Sequence, residues 1–278
     1  MKGLTEYLID INIKDNFDSI TEGIKIDKRN KLVKLTMDHN KGVSFDVVSN
    51  PVISKFKSLS GKTYDCISIF KRSPIDDKEF DRDLDGNPFI HALKKKKGWK
   101  FDITEREIKT YLMKFVRICD KLNPNDFDTI LCVPSSSKLN KQFMSSLADI
   151  LNIDNSLIDR FYKISLDEIY DDDYIDREQL KKDFGDSWEK QFDRMDEAIM
   201  KMQGDDFVAK DFPKDLLKYV KYIGARSGYR DLIDNKNIII IDDIVSSGTT
   251  LSNCIDAIEK MFVPKSITIV TLLSKKIR

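Results

Sequence analysis

Residues 238–251 read Ile-Ile-Ile-Ile-Asp-Asp-Ile-Val-Ser-Ser-Gly-Thr-Thr-Leu. Four consecutive isoleucines make a short unbroken β-branched run, the pattern of a strand buried on both faces, and such strands belong to parallel sheets covered by helices. The run ends in two carboxylates, Asp242 and Asp243. A short turn of hydroxyl residues around Gly248 follows, and helical spacing then runs from Thr249 to Phe262. A strand, a tight turn and a helix in that order put the turn beyond the carboxyl end of the strand, where open α/β sheets bind ligands. The start of the helix offers unpaired N–H groups and a partial positive charge, which together hold a phosphate. Gly248 lets the backbone curl close to that anion, and Ser246, Ser247, Thr249 and Thr250 add hydroxyl donors. Ionised carboxylates only accept hydrogen bonds, so Asp242 and Asp243 suit the hydroxyls of a sugar attached to the phosphate. A ribose 5-phosphate fits both halves of the loop. The G-K-[ST] element of a Walker loop is absent. The bland alternative is an acidic strand end before a Ser/Thr-capped helix with no ligand.

The rest of the chain repeats the alternation. Thr104 to Glu107 has capping-box spacing, with Ile108, Tyr111, Leu112, Phe115 and Cys119 at helical intervals before Asn123-Pro124. Thr129 to Val133 is a second buried-strand run, broken by Pro134-Ser135-Ser136-Ser137. Leu139, Phe143, Met144, Leu147 and Ile150 then mark another helix, and Ser266 to Leu273 a further strand. Strands alternating with helices imply an open α/β sheet of parallel strands. The first part, up to about Arg72, reads instead as β-rich. Gly23–Asp27 and Lys31–Met37 flank a hairpin turn, with Val43–Val48 and Tyr64–Phe70 as further strands, and 75–86 is charged and irregular.

Lysine plus arginine equals aspartate plus glutamate, 47 each, which excludes a globally basic nucleic-acid coat. The charge is unevenly spread, however. Residues 165–215 carry roughly twice as many acidic as basic residues, so the remaining body is basic, as a polyanionic ligand prefers. Within this acidic excursion Asp186 to Glu189 has capping spacing, and Trp188, Phe192, Met195, Ile199 and Met202 form one apolar stripe. The stripe either packs as core or serves as a lid or homodimer surface. The four cysteines and two histidines show no zinc spacing, and no apolar run reaches the roughly 20 residues of a membrane span. Met1 to Ile13 lacks a secretory pattern. These features point to a soluble, cytoplasmic protein.

The stretch from Asp242 through Thr250 resembles the 5-phosphoribosyl-1-diphosphate (PRPP) binding motif of type I phosphoribosyltransferases: four apolar residues, two acidic, two apolar, then Thr/Ser-Thr/Ser-Gly-x-Thr. The resemblance extends to the competence protein F branch. Asn87 to Lys94 is similar to that branch's opening segment, Asp128 to Ser137 to its first core strand and diphosphate loop, and Arg160-Phe161-Tyr162-Lys163 and Arg226 fall where it carries basic residues. The resemblance implies that Asp242 and Asp243 bind the ribose 2- and 3-hydroxyls, directly or through Mg2+, and that Val245, Ser246, Ser247, Gly248, Thr249 and Thr250 hold the 5-phosphate. It implies that Ser135, Ser136 and Ser137 meet the diphosphate, with Arg160, Lys163 or Arg226 neutralising it. The acidic excursion would occupy the position of the family's flexible loop.

The expected fold is therefore α/β: an open parallel-sheet type I phosphoribosyltransferase fold over 88–278 with an acidic helical insertion at 165–215. A β-rich N-terminal accessory region at 1–87 would precede it as a hood. The expected activity is Mg2+-dependent transfer of phosphoribosyl from PRPP to a nucleobase or amine acceptor, with Asp242 and Asp243 at the catalytic centre. One alternative is a non-catalytic PRPP- or nucleotide-sensing module. Another is a nucleic-acid-associated factor using Lys94-Lys95-Lys96-Lys97 with Trp99 for stacking, against which stands the plainer reading of a solvated loop. His91 reads as a helix residue rather than a base. Met1 to Leu8 resembles the N-terminal helix that directs phage internal proteins to the prohead, which would make the chain virus-encoded and active in a host cell; an ordinary first helix is the alternative.

Overall fold

The computed structural model describes residues 23–36, 42–72, 88–95, 98–135, 138–157, 159–170, 174–245 and 248–274. The strand run of isoleucines becomes β11 (Asn237–Ile244), whose Ile238 to Ile241 are all fully buried. It lies between β7 (Thr129–Cys132) and β12 (Ser266–Leu273), parallel to both, with Ile241 opposite Cys132 on one side and Val270 on the other. Beyond β7 lies β8 (Ser156–Leu157), and beyond β12 lies β5 (Thr63–Arg72), both again parallel. The short β3 (Val43–Ser44) and β4 (Val52–Lys57) add antiparallel pairing on the outer side of β5. The molecule is thus a mixed α/β fold around a mainly parallel sheet. Two smaller sheets stand apart: the predicted hairpin β1 (Gly23–Asp27) and β2 (Leu32–Thr36) joined by β6 (Lys100–Phe101), and β9 (Phe161–Lys163) with β10 (Ile223–Ala225).

Period-two alternation along β11 divides the core. Ile239 and Ile241 belong to one core with Phe89 and Ile90 of α1 (Pro88–Leu93), Phe115 of α2 (Glu105–Cys119) and Phe143 of α3 (Leu139–Leu151). Ile238 and Ile240 meet Leu251, Cys254 and Ile258 of α6 (Thr249–Met261). Burying each isoleucine contributes about 1.5–3 kcal/mol over leaving it exposed, so this strand anchors both layers. The capping box at α2 forms as its spacing predicts: Glu107 N–H donates to Thr104 Oγ1 at 3.3 Å, and Thr104 N–H to Glu107 Oε2 at 2.7 Å.

Several elements depart from expectation. The sheet crosses the expected domain boundary at residue 87, because β5 pairs with β12 about two hundred residues away. Parallel pairing is non-local and leaves no trace in the strand's own sequence. The strand expected over Val43–Val48 stops at Ser44, where the Asp46 carboxylate accepts from Val48 and Ser49 N–H and folds the chain into a turn. β4 has no alternating pattern because it is an edge strand, with Ile53 73% exposed. In the insertion, α4 (Arg177–Phe184) precedes α5 (Trp188–Met200), whose Ser187 N-cap makes no side-chain capping bond because its hydroxyl donates to Phe184 O instead. Met195 and Ile199 from the predicted stripe are buried in the same core as α6, with Trp188, Phe192 and Met202 packed against it. The stripe is therefore core rather than a free face. His91 is buried within α1, and Trp99 is only 4% exposed, which removes the stacking face that a nucleic-acid reading requires. The N-terminal segment 1–22, the charged stretch 73–87 and Lys96-Lys97 lie outside the described residues. No helix among the described residues is long and apolar enough to cross a membrane.

Candidate functional site

The pairing of β11 with β7 aligns the carboxyl ends of two strands and therefore the two loops that leave them. Val133 N–H donates to Ile241 O at 3.1 Å, so the chain departs towards Ser135 beside the start of the Asp242-Asp243 pair. Ser135 is half-buried there, while Ser136 and Ser137 lie outside the described residues. β11 itself continues through both aspartates to Ile244, longer than its isoleucine run suggests. Val245 is buried next, Ser246 and Ser247 fall outside the described residues, and Gly248 caps α6 at φ 80°, ψ 0°. The open N-terminus of α6 thus faces the same edge of the sheet as the two carboxylates.

Each carboxylate has its own partner. Asn140 Nδ2, from the first turn of α3, donates to Asp242 Oδ1 at 3.0 Å, and the Asp243 N–H donates to the same oxygen at 2.9 Å. Burial and then the neighbouring Asp243 charge push the Asp242 carboxyl well above the usual carboxylate range. Asp243 is 5% exposed and forms an ion pair with the Lys94 ammonium, just past α1. At one strand end, Asp242 is thus held by an amide and Asp243 by an ammonium.

The first turns of α6 are fastened from both sides. Tyr222, immediately before β10, has its hydroxyl 2.9 Å from Thr250 Oγ1, and its N–H donates to Asn253 Oδ1 at 2.7 Å. Asn253 Nδ2 in turn donates to Thr249 O at 3.1 Å. From the other side the β4–β5 hairpin reaches across: Leu59 N–H donates to Ser252 Oγ at 3.1 Å, and the Phe56 ring rests on Gly248. Burial pushes the Tyr222 phenol up to about 12, which keeps it a neutral hydrogen-bond partner near pH 7.

The phosphoribosyl transferase domain model matches residues 208–278. That stretch holds β10, β11, α6 and β12, together with the Asp242–Thr250 connection. The match supports the type I phosphoribosyltransferase family and, in general terms, phosphoribosyl transfer with PRPP as substrate. No curated protein and no solved structure matches the chain.

Against that pattern the basic residues expected at the diphosphate are not gathered. Arg160 is buried at the far end of α6: its guanidinium lies 5.9 Å from the Phe262 ring centroid and 5.7 Å from that of Tyr229, and it donates to Gly228 O at 2.7 Å. α6 has 13 residues, so at 1.5 Å per residue its two ends stand about 20 Å apart. Arg160 therefore does not reach the α6 N-terminus. The Arg226 guanidinium lies over the Tyr162 ring at 5.6 Å, and Lys163 is exposed opposite Ile223 on the β9–β10 ladder. These positions follow from antiparallel pairing of β9 with β10, which carries Arg160 towards the end of α6 remote from Gly248.

Asn140, Tyr222, Asn253, Phe56 and Lys94 take part in the site without having been singled out for it. Four of them act through a neighbouring residue, for which short sequence patterns carry no signal. Lys94 falls in the lysine run read for nucleic acid and closes the Asn87–Lys94 segment read by resemblance.

Proposed function

We propose that this chain binds PRPP at the carboxyl edge of its sheet and transfers the 5-phosphoribosyl group to a nucleobase or amine acceptor, releasing diphosphate. The observation that supports this best is the β11–α6 connection, in which two held carboxylates and a glycine-capped helix N-terminus sit at one strand end. In this reading Val245 to Thr250 cradle the 5-phosphate, Asp242 and Asp243 clasp the ribose hydroxyls, and Ser135 to Ser137 flank the diphosphate. The acceptor nitrogen lone pair forms a bond to the anomeric carbon as the carbon–oxygen bond to diphosphate breaks. The electron pair leaves with diphosphate, and the acceptor nitrogen then sheds its proton. Alignment of the two reactants and stabilisation of the departing charge supply most of the acceleration.

Mg2+ fits this donor set: carboxylate oxygens are the ligands it takes, and it draws its remaining ligands from phosphate and water. Magnesium keeps waters and bridges phosphate oxygens, so a dedicated protein cage is unnecessary for it. Bound there, it would neutralise charge on the departing diphosphate. The same reading puts the chain nearest the competence protein F-like branch, with residues 1–87 shaping the acceptor side.

A second reading is a PRPP-binding module without transfer. The insertion at 165–215 favours it, because the insertion is acidic and packed into the core rather than spread as a basic cover over the diphosphate. Titration calorimetry with PRPP and MgCl2, paired with a diphosphate-release screen over nucleobases and amines, separates them. Heat with release supports transfer, heat without release supports the module, and no heat rejects both.

A further inference from the structure

We infer that Lys94 is the cation that selects a diphosphate-bearing ligand at this site; the inference rests on the PRPP reading of the Asp242–Thr250 loop. α1 is held in the core by Phe89, whose ring lies 5.5 Å from that of Phe45 and 5.6 Å from that of Phe101. Lys94 N–H continues the last turn by donating to Ile90 O at 2.9 Å, and Lys95 then ends the helix at φ 52°. The Lys94 side chain is consequently aimed inward, 16% exposed, with its ammonium on the Asp243 carboxylate. The other described lysine of that run, Lys95, has no such contact with the motif among the described residues.

An ammonium carries three donors, and Asp243 takes one. Two remain for a ligand placed on the acid pair. A phosphoribosyl ligand bears anions at both ends of its sugar. The 5-phosphate has the loop and the N-terminus of α6, whereas Arg160 and Arg226, the arginines expected at the diphosphate, lie along α6 towards its other end. Lys94 reaches Asp243 from the end of α1, an element separate from the loop read as the 5-phosphate cradle. It also offsets the repulsion that the Asp243 carboxylate exerts on an incoming polyanion. Ribose 5-phosphate, which lacks the anomeric anion, needs this charge far less.

The test compares PRPP with ribose 5-phosphate, each with MgCl2, by titration calorimetry on the full chain and on Lys94→Met, Lys94→Gln and Lys94→Arg. Removing one charge-assisted contact should weaken PRPP binding about tenfold or more in Lys94→Met and Lys94→Gln, with ribose 5-phosphate changed by less than about threefold. Lys94→Arg should keep the preference for PRPP. Equal losses for both ligands, tighter binding of both, or an unchanged ratio overturns the inference. Loss of the fold in both uncharged variants also overturns it, by assigning Lys94 to stability. If the unaltered chain gives no heat with either ligand, the reading of the loop itself fails, a result distinct from any of these.

Discussion

The ring of Phe56, on β4, lies against the α carbon of Gly248, so that a β carbon at position 248 would fall 2.7 Å from Phe56 Cε2. This contact joins the N-terminal hairpin to the turn that opens α6. It makes the glycine necessary twice, once for its left-handed backbone at φ 80° and once for the ring above it. The β4–β5 hairpin is therefore part of what shapes the turn that opens α6.

Gly248→Val should lower stability by about 2–4 kcal/mol, the left-handed penalty plus overpacking. Phe56→Ala in the same chain should restore only the overpacking part, since the backbone penalty remains. Urea unfolding of the single and double variants measures the difference, and additive losses would show that the ring and the glycine do not interact.

Asp242→Asn with Asp243→Asn removes both carboxyl groups while keeping their shape. At a hundredfold excess of PRPP over its Kd the unaltered chain should gain about 2.7 kcal/mol, and the double variant essentially none. Circular dichroism should show the fold retained without ligand, at reduced stability because Lys94 loses its counter-ion. Ligand-dependent shifts in melting temperature that persist in the double variant count against the sugar-binding role.

Asn140 is 1% exposed and holds Asp242 by a single donor. Asn140→Ala should cost about 1 kcal/mol of stability. It should also weaken PRPP binding several-fold, because Asp242 loses the bond that orients it. Calorimetry and thermal melts on one preparation read both effects, and a stability loss with unchanged affinity would restrict Asn140 to packing.

Asp183 in α4 ties the insertion to the segment before β10. It accepts from Lys218 Nζ, Tyr219 Oη and Gln179 Nε2, each at 2.7 Å. Hydrogen bonds, from Lys218 first and then Tyr219, draw its carboxyl down from 3.8 to about 2. The folded value lies below the unfolded one, so the contribution is present above about 3.8 and is lost as pH falls towards about 2. Asp183→Asn should be less stable than the unaltered chain at neutral pH, and the gap should close across that acid window. Urea midpoints measured at intervals from neutral pH to pH 2 check it.

Much of the parallel core is legible in the sequence. The isoleucine run, the Thr129–Val133 run, Ser266–Leu273 and the capped helix at Thr104 form the elements their patterns predict. Each is local: burial on both faces forces an apolar run, and a capping box needs only residues three apart. The edge strand β4 and the helix α4 carry no such signal, since one has mostly exposed side chains and the other has only Leu180 buried.

The Asp242-Asp243-Ile244-Val245-Ser246-Ser247-Gly248-Thr249-Thr250 order belongs to the sequence alone, because a strand, a turn and a helix start are set by neighbouring residues and their backbone preferences. Which side chains meet those two acids was a matter for the tertiary structure. Lys94 arrives from a helix anchored by Phe89, Asn140 from the helix after β7, and Phe56 from a hairpin nearly two hundred residues away, while Arg160 is carried off to the far end of α6. Such meetings depend on strand order and helix packing across the whole chain, and no local pattern encodes them.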